Sequence, residues 1–147
     1  MSQQQDEVAR FVAAARSYVN TPFVHQGRVP GAGLDCAGVV VCAARAAGFE
    51  LQDGAVYERV PRPLYVRGLL QQNCATLPDC AALLAGSLVL AWVRTPRLPV
   101  HLLVCTGQGT VIHSTQAVGR VCEVTFDQYW RDRVTSCWHF QRWQQSY

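Results

Sequence analysis

The 147-residue chain has no lysine: all thirteen basic residues are arginine, against ten carboxylates, for a formal charge of +3. So small and scattered an excess argues against a nucleic-acid surface. An arginine-only surface suits carboxylate or phosphate recognition, and it equally follows from a GC-rich coding bias. Charge is sparse altogether, at 16% of residues, while half the chain is apolar, a balance that argues against disorder. No apolar run is long enough to cross a bilayer, so membrane insertion is not expected. The opening MSQQQDEVAR lacks the apolar stretch of a secretion signal, and synthesis in the cytoplasm without a signal peptide is expected. Seven cysteines include no C-x-x-C pair, which leaves no zinc-ribbon signature. Most are expected to be free, buried thiols. There are no repeats, low-complexity tracts or linkers, so residues 1–147 read as one domain.

What is present divides into helical and extended halves. Val8, Phe11, Val12, Ala15 and Val19 recur at helical spacing, predicting a helix over about 5–18 that ends at Asn20-Thr21-Pro22. A glycine-rich loop, 26–33, follows. Residues 36–47 form an apolar run with one charge, Arg45, and Gly48 as a stop; its length and alanines favour a buried helix with Asp35 at the N-cap. Residues 49–63 read as a connection, and 64–73 and 79–84 as short helices. Five strands are expected at 87–93, 100–105, 110–114, 120–124 and 135–142, with a brief helix at 126–131 before the last. Helices followed by an antiparallel meander indicate an α+β domain, helices packed on a five-stranded antiparallel sheet.

Cys36 stands in the first turn of the predicted buried helix. Unpaired N–H groups and the helix dipole there lower a thiol's pKa and favour the thiolate that attacks. Gly31 and Gly33 permit a tight approach, and Ala37 and Gly38 are expected to leave the helix end uncrowded. Cys36 also reads as one more core cysteine, like Cys42. The expected base is His101, which opens strand 100–105; His113 closes strand 110–114. If Cys105 pairs with Gly109 across a three-residue loop, the two histidines lie opposite each other on one face of the sheet. A two-residue loop would separate them, so the arrangement requires a loop of odd length, which a glycine bulge at Gly109 permits. His113 would then hold the His101 ring in its working tautomer. A metal site of His101, His113 and Cys105 lacks an evident fourth ligand, so neither metal nor cofactor is expected. His139 reads as structural or exposed, and the four tryptophans as core or groove walls.

The segment Thr21-Pro22-Phe23-Val24-His25-Gln26-Gly27-Arg28, with Pro30-Gly31-Ala32-Gly33-Leu34-Asp35-Cys36-Ala37-Gly38-Val39-Val40, resembles the nucleophile region of NlpC-type cell-wall cysteine peptidases. His101-Leu102-Leu103-Val104, a glycine turn and Val111-Ile112-His113-Ser114 resemble their later catalytic segments, with the same twelve-residue step. The His-Gln-Gly-Arg stretch resembles the branch found in phage tail clusters and gene transfer agents. The resemblance implies a papain-like fold, a Cys36–His101–His113 triad and hydrolysis of the γ-D-glutamyl–diamino acid amide in peptidoglycan stem peptides. His25, where relatives carry a tyrosine, would help bind the oxyanion; Arg28 and Asp35 complete the expected oxyanion or substrate-binding set. Ala37 departs from the family's frequent serine. Partners implied are stem peptides and phage tail proteins, the latter delivering the enzyme to the wall as part of a virion or prophage particle. A thiol amidase or acyltransferase on the same scaffold, or an inactive structural tail protein, are the alternatives.

Overall fold

Ser2 caps the first helix, α1 (Gln3–Ser17): its hydroxyl accepts the Gln5 N–H while the Gln5 side chain accepts the Ser2 N–H. The computed structural model describes residues 2–53, 62–80 and 83–143. Phe11, Val12 and Ala15 form the buried stripe of α1. Asn20, in the left-handed region at φ 78°, turns the chain out of the helix. Two short strands, β1 (Arg28–Val29) and β2 (Gly33–Leu34), then pair as a ribbon that turns through Gly31 at φ 84°.

The predicted buried helix is α2 (Cys36–Ala47), capped by Asp35 and closed by Gly48 at φ 106°. Ten of its twelve residues are buried, which is why its pattern shows no polar face. α3 (Arg62–Asn73) covers the expected 64–73. It leads directly into β3 (Cys74–Thr76), a strand too short to carry an alternating signal. The remaining elements are β4 (Leu88–Trp92), β5 (Pro99–Cys105), β6 (Thr110–Ser114), β7 (Val121–Thr125), α4 (Gln128–Arg131) and β8 (Val134–Phe140). The sheet is antiparallel throughout, in the order β3-β8-β4-β5-β6-β7. It therefore has six strands where the sequence suggested five, β3 pairing with β8 at one edge.

The helix expected at 79–84 does not form at its described residues, Asp79, Cys80, Leu83 and Leu84. Cys80 is instead bonded to Cys137 of β8. The other five cysteines are free, and four of them are buried. Of the connection at 49–63, residues 54–61 lie outside the described residues.

Alternation divides the sheet into two faces. Leu88, Leu90, Leu102, Val104, Ile112 and Phe140 pack with α1, α2 and α3 in the larger core cluster. Phe11 anchors it with edge-on contacts to Phe140 and Trp143, at 5.2 and 5.7 Å between ring centroids. Burying such a side chain contributes roughly 1.5–3 kcal/mol. Val89, Ala91, Leu103, Cys105 and Val111 face the other way, with Phe126 and Trp130, in a smaller cluster.

Candidate active site

The ribbon fixes the start of α2. Asp35 is fully buried, and its carboxylate accepts from the N–H groups of Gly38 at 2.8 Å and Gln26 at 3.0 Å and from Arg28 Nη1 at 2.9 Å. Arg28 also donates to both carboxylate oxygens of Asp53 and to the Tyr65 hydroxyl, which itself contacts Asp53. The guanidinium beside Asp53 holds that carboxyl below its ordinary range despite burial. Arg28 and Asp35, named as oxyanion or substrate-binding residues, pair with one another: a buried carboxylate requires partners, and Arg28 supplies one.

Ser114 Oγ donates to the Leu34 carbonyl at 2.8 Å, tying the ribbon to β6 two residues before Cys36. Cys36 is 1% exposed, and its sulfur lies 3.8 Å from the carbonyl oxygen of Val100, on the peptide that leads into His101. The uncrowded helix end expected from Ala37 and Gly38 is not found. A Cβ on Gly38 would sit 2.2 Å from the Gly27 carbonyl oxygen, because the ribbon crosses the first turn of α2 at that point.

The two histidines come together. His101 Nε2 and His113 Nδ1 are 2.8 Å apart, with the rings edge-on and both residues buried. The hairpin loop is odd, as required, but longer than expected: Cys105 pairs with Val111 and Val104 with Ile112. The histidines are therefore diagonal neighbours on one face rather than directly opposed. Thr106 sets the wider loop by donating its N–H to the Thr110 carbonyl, with the two threonine hydroxyls 2.7 Å apart.

Trp130 walls the pair, nearly parallel to His101 at 5.8 Å and edge-on to His113 at 5.1 Å. Burial drops the pKa of His113 to about 4, so the ring is neutral at neutral pH. Its remaining nitrogen, Nε2, meets Cys122 Sγ at 3.6 Å, from the residue directly across β6 and β7. The sequence reading missed Cys122, although pairing the 110–114 and 120–124 strands would have brought it to His113. His25 is exposed, next to Gln26, whose N–H is held by Asp35 at the head of α2. His139 is buried against Trp143, 5.6 Å between rings. Cys105 is held inert by burial, its thiol pushed up to about 11. Among the described residues no group of three His, Cys, Asp or Glu side chains is placed to hold a metal ion.

A cleft of about 410 Å³ opens onto this region, lined by His101, Val100, Arg94, Leu98, Thr115 and Gln116 among others. A larger depression of about 500 Å³ between α1 and the β5–β6 loop holds none of the expected site residues.

The architecture has known counterparts. An NLP/P60-family protein similar to lipoprotein from Staphylococcus aureus superposes with a TM-score of 0.66 at 17% identity, over 90% of this chain and 41% of that one. The NlpC/p60 domain of the peptidoglycan hydrolase SagA gives 0.57 at 22% identity, over 88% and 96%. The peptidoglycan hydrolase RipB of Mycobacterium tuberculosis gives 0.64 at 17% identity, over 92% and 65%. The chain thus spans less than half of the first of these proteins and nearly all of the SagA domain. No curated protein sequence matches it. The profile of the NlpC/P60 family matches residues 20–139, a span holding Cys36 and both members of the histidine pair. The chain belongs to the NlpC/P60 family.

Proposed function

We propose that the protein is a cysteine peptidase that cleaves peptidoglycan stem peptides at the amide between the γ-carboxyl of D-glutamate and a diamino acid. The observation that carries this reading is the buried 2.8 Å contact between His101 and His113, at the strand start where the Cys36 sulfur rests. Two of the structural counterparts are described as peptidoglycan hydrolases, which supports the substrate class.

In this reading His101 takes the thiol proton of Cys36 as the sulfur attacks the amide carbonyl. The tetrahedral intermediate collapses to a thioester, and His101 returns the proton to the departing amine. A water molecule, deprotonated by His101, then releases the acid and restores the thiol. The neutral His113 accepts an N–H from His101 Nε2 on its Nδ1, leaving His101 Nδ1 as the basic nitrogen. The backbone N–H of Cys36, at the unpaired start of α2, is one oxyanion donor. His25 is the proposed second donor: His25→Ala should lower kcat while leaving KM nearly unchanged, and an unaltered kcat removes it from the site. Carriage by a phage or prophage particle rests on the residues 25–28 alone, and immunodetection in purified particles tests it.

The deciding experiment for the activity is digestion of purified walls by the protein and by Cys36→Ala, with released peptides identified by mass. Cleavage at the γ-D-glutamyl bond by the first alone is expected. Products from both proteins, or acyl transfer without hydrolysis, refute the assignment.

A further inference from the structure

Among the described residues, the cleft over His101 is lined by one arginine, Arg94, and by no carboxylate; the other polar residues there are Thr95, Ser114, Thr115 and Gln116, besides His101 itself. Four arginines are ion-paired, Arg16 with Glu123, Arg28 with Asp35 and Asp53, Arg45 with Glu50 and Arg142 with Glu7. Arg94 forms no hydrogen bond or ion pair with any described residue. An unbalanced guanidinium in a concave site favours an anionic ligand, and its planar fork matches a carboxylate. Val93, Leu98 and Val100 line the same cleft and give it an apolar side.

The register sets the reach. Ala91 pairs with His101, and Arg94 follows three residues later in the β4–β5 connection. Its backbone therefore lies within about 11 Å of that pair, the span of about three extended residues. A flexible arginine side chain shortens the gap to a substrate carboxylate next to the bond presented to His101.

We infer that Arg94 determines specificity by binding a free carboxylate adjacent to the scissile amide. The protein then prefers stem peptides whose D-glutamate α-carboxyl is free over those in which it is amidated. This rests on the peptidase reading and adds the charge state of the substrate to it. A carboxamide keeps the shape and loses the charge, so Arg94 gains little from it.

Two synthetic peptides, L-Ala-γ-D-Glu-diamino acid and its D-Glu α-amide, test the inference. The wild type should favour the free acid by about tenfold in kcat/KM, expressed mainly in KM. Added salt should shrink the preference. Arg94→Gln should bring the ratio close to one by weakening the free acid. Arg97→Gln, in the same connection and outside the cleft lining, should keep it. Equal turnover of both peptides by the wild type, or a ratio unaltered in Arg94→Gln, overturns the inference. Calorimetric binding of both peptides to Cys36→Ala, with and without Arg94→Gln, separates it from the peptidase reading. Preferential binding without cleavage by the wild type sustains the inference and refutes the peptidase reading; equal binding refutes the inference.

Discussion

On the helix side of the sheet, Leu88, Leu90, Leu102, Val104, Ile112 and Phe140 pack against three helices. On the other side the same strands place His101 and His113 among Ala91, Leu103 and Val111, beneath the single turn of α4 that supplies Trp130. The first face spends its alternation on burial. The second carries fewer apolar residues and buries two imidazoles that satisfy each other. Cys36 belongs to the first cluster, yet its sulfur reaches the peptide from which His101 projects. The proposed chemistry thus sits at the start of β5, where the two faces meet, with sulfur and base supplied by different layers.

Substitutions should separate these faces. Cys36→Ala should remove wall hydrolysis by at least about 10³-fold, some 4 kcal/mol of barrier, while leaving the far-UV spectrum unchanged. Residual hydrolysis within tenfold of wild type would detach the sulfur from the histidine face. Leu102→Ala should instead cost about 2–5 kcal/mol of stability by urea unfolding, with activity intact where the domain remains folded. A cost well below that range would mean that the helix-side face is loosely packed.

The histidine face should reveal itself by acid. His113 has a folded pKa of about 4 against an ordinary 6.5, so the unfolded chain binds more protons between those values. Stability should be fully present above about pH 6.5 and fall by about 3 kcal/mol as pH drops to 4. His113→Asn should flatten most of that slope, and an unchanged slope would place the acid sensitivity elsewhere. The smallest expected effect belongs to Cys122: removing its contact to His113 Nε2 in Cys122→Ala should lower kcat about threefold to tenfold without moving KM. Cys122→Ser should restore most of it, because a hydroxyl also accepts the N–H.

Much of this was legible in the sequence. α2 could be read because its two ends carry local signals, Asp35 and Gly48, and its interior is apolar but for Arg45. The five longer strands were visible through alternation and turns. β3 was not, because three residues hold no period. The glycines of the hairpin permitted an odd loop without requiring it, and its register depended on a pair of threonines closing a wider loop. Arg28 looked available for substrate because its partner Asp53 lies 25 residues away, and a loop sequence does not say where a distant carboxylate will arrive. Cys80–Cys137, separated by 57 residues, was hidden for the same reason. Arg94 gave no signal, since lining a cleft is a property of the assembled walls.

The Gly27 carbonyl stands only 2.2 Å from the place where any larger residue at position 38 would put its first side-chain carbon, and Asp35 is consumed by the same crossing. Asp35 and Gly38 of the Asp-Cys-x-Gly signature therefore have a structural task of their own: they record how a ribbon lies over a helix. In the proposed reading Cys36 supplies the nucleophile, so likeness across the whole signature speaks for the scaffold as well as for the sulfur.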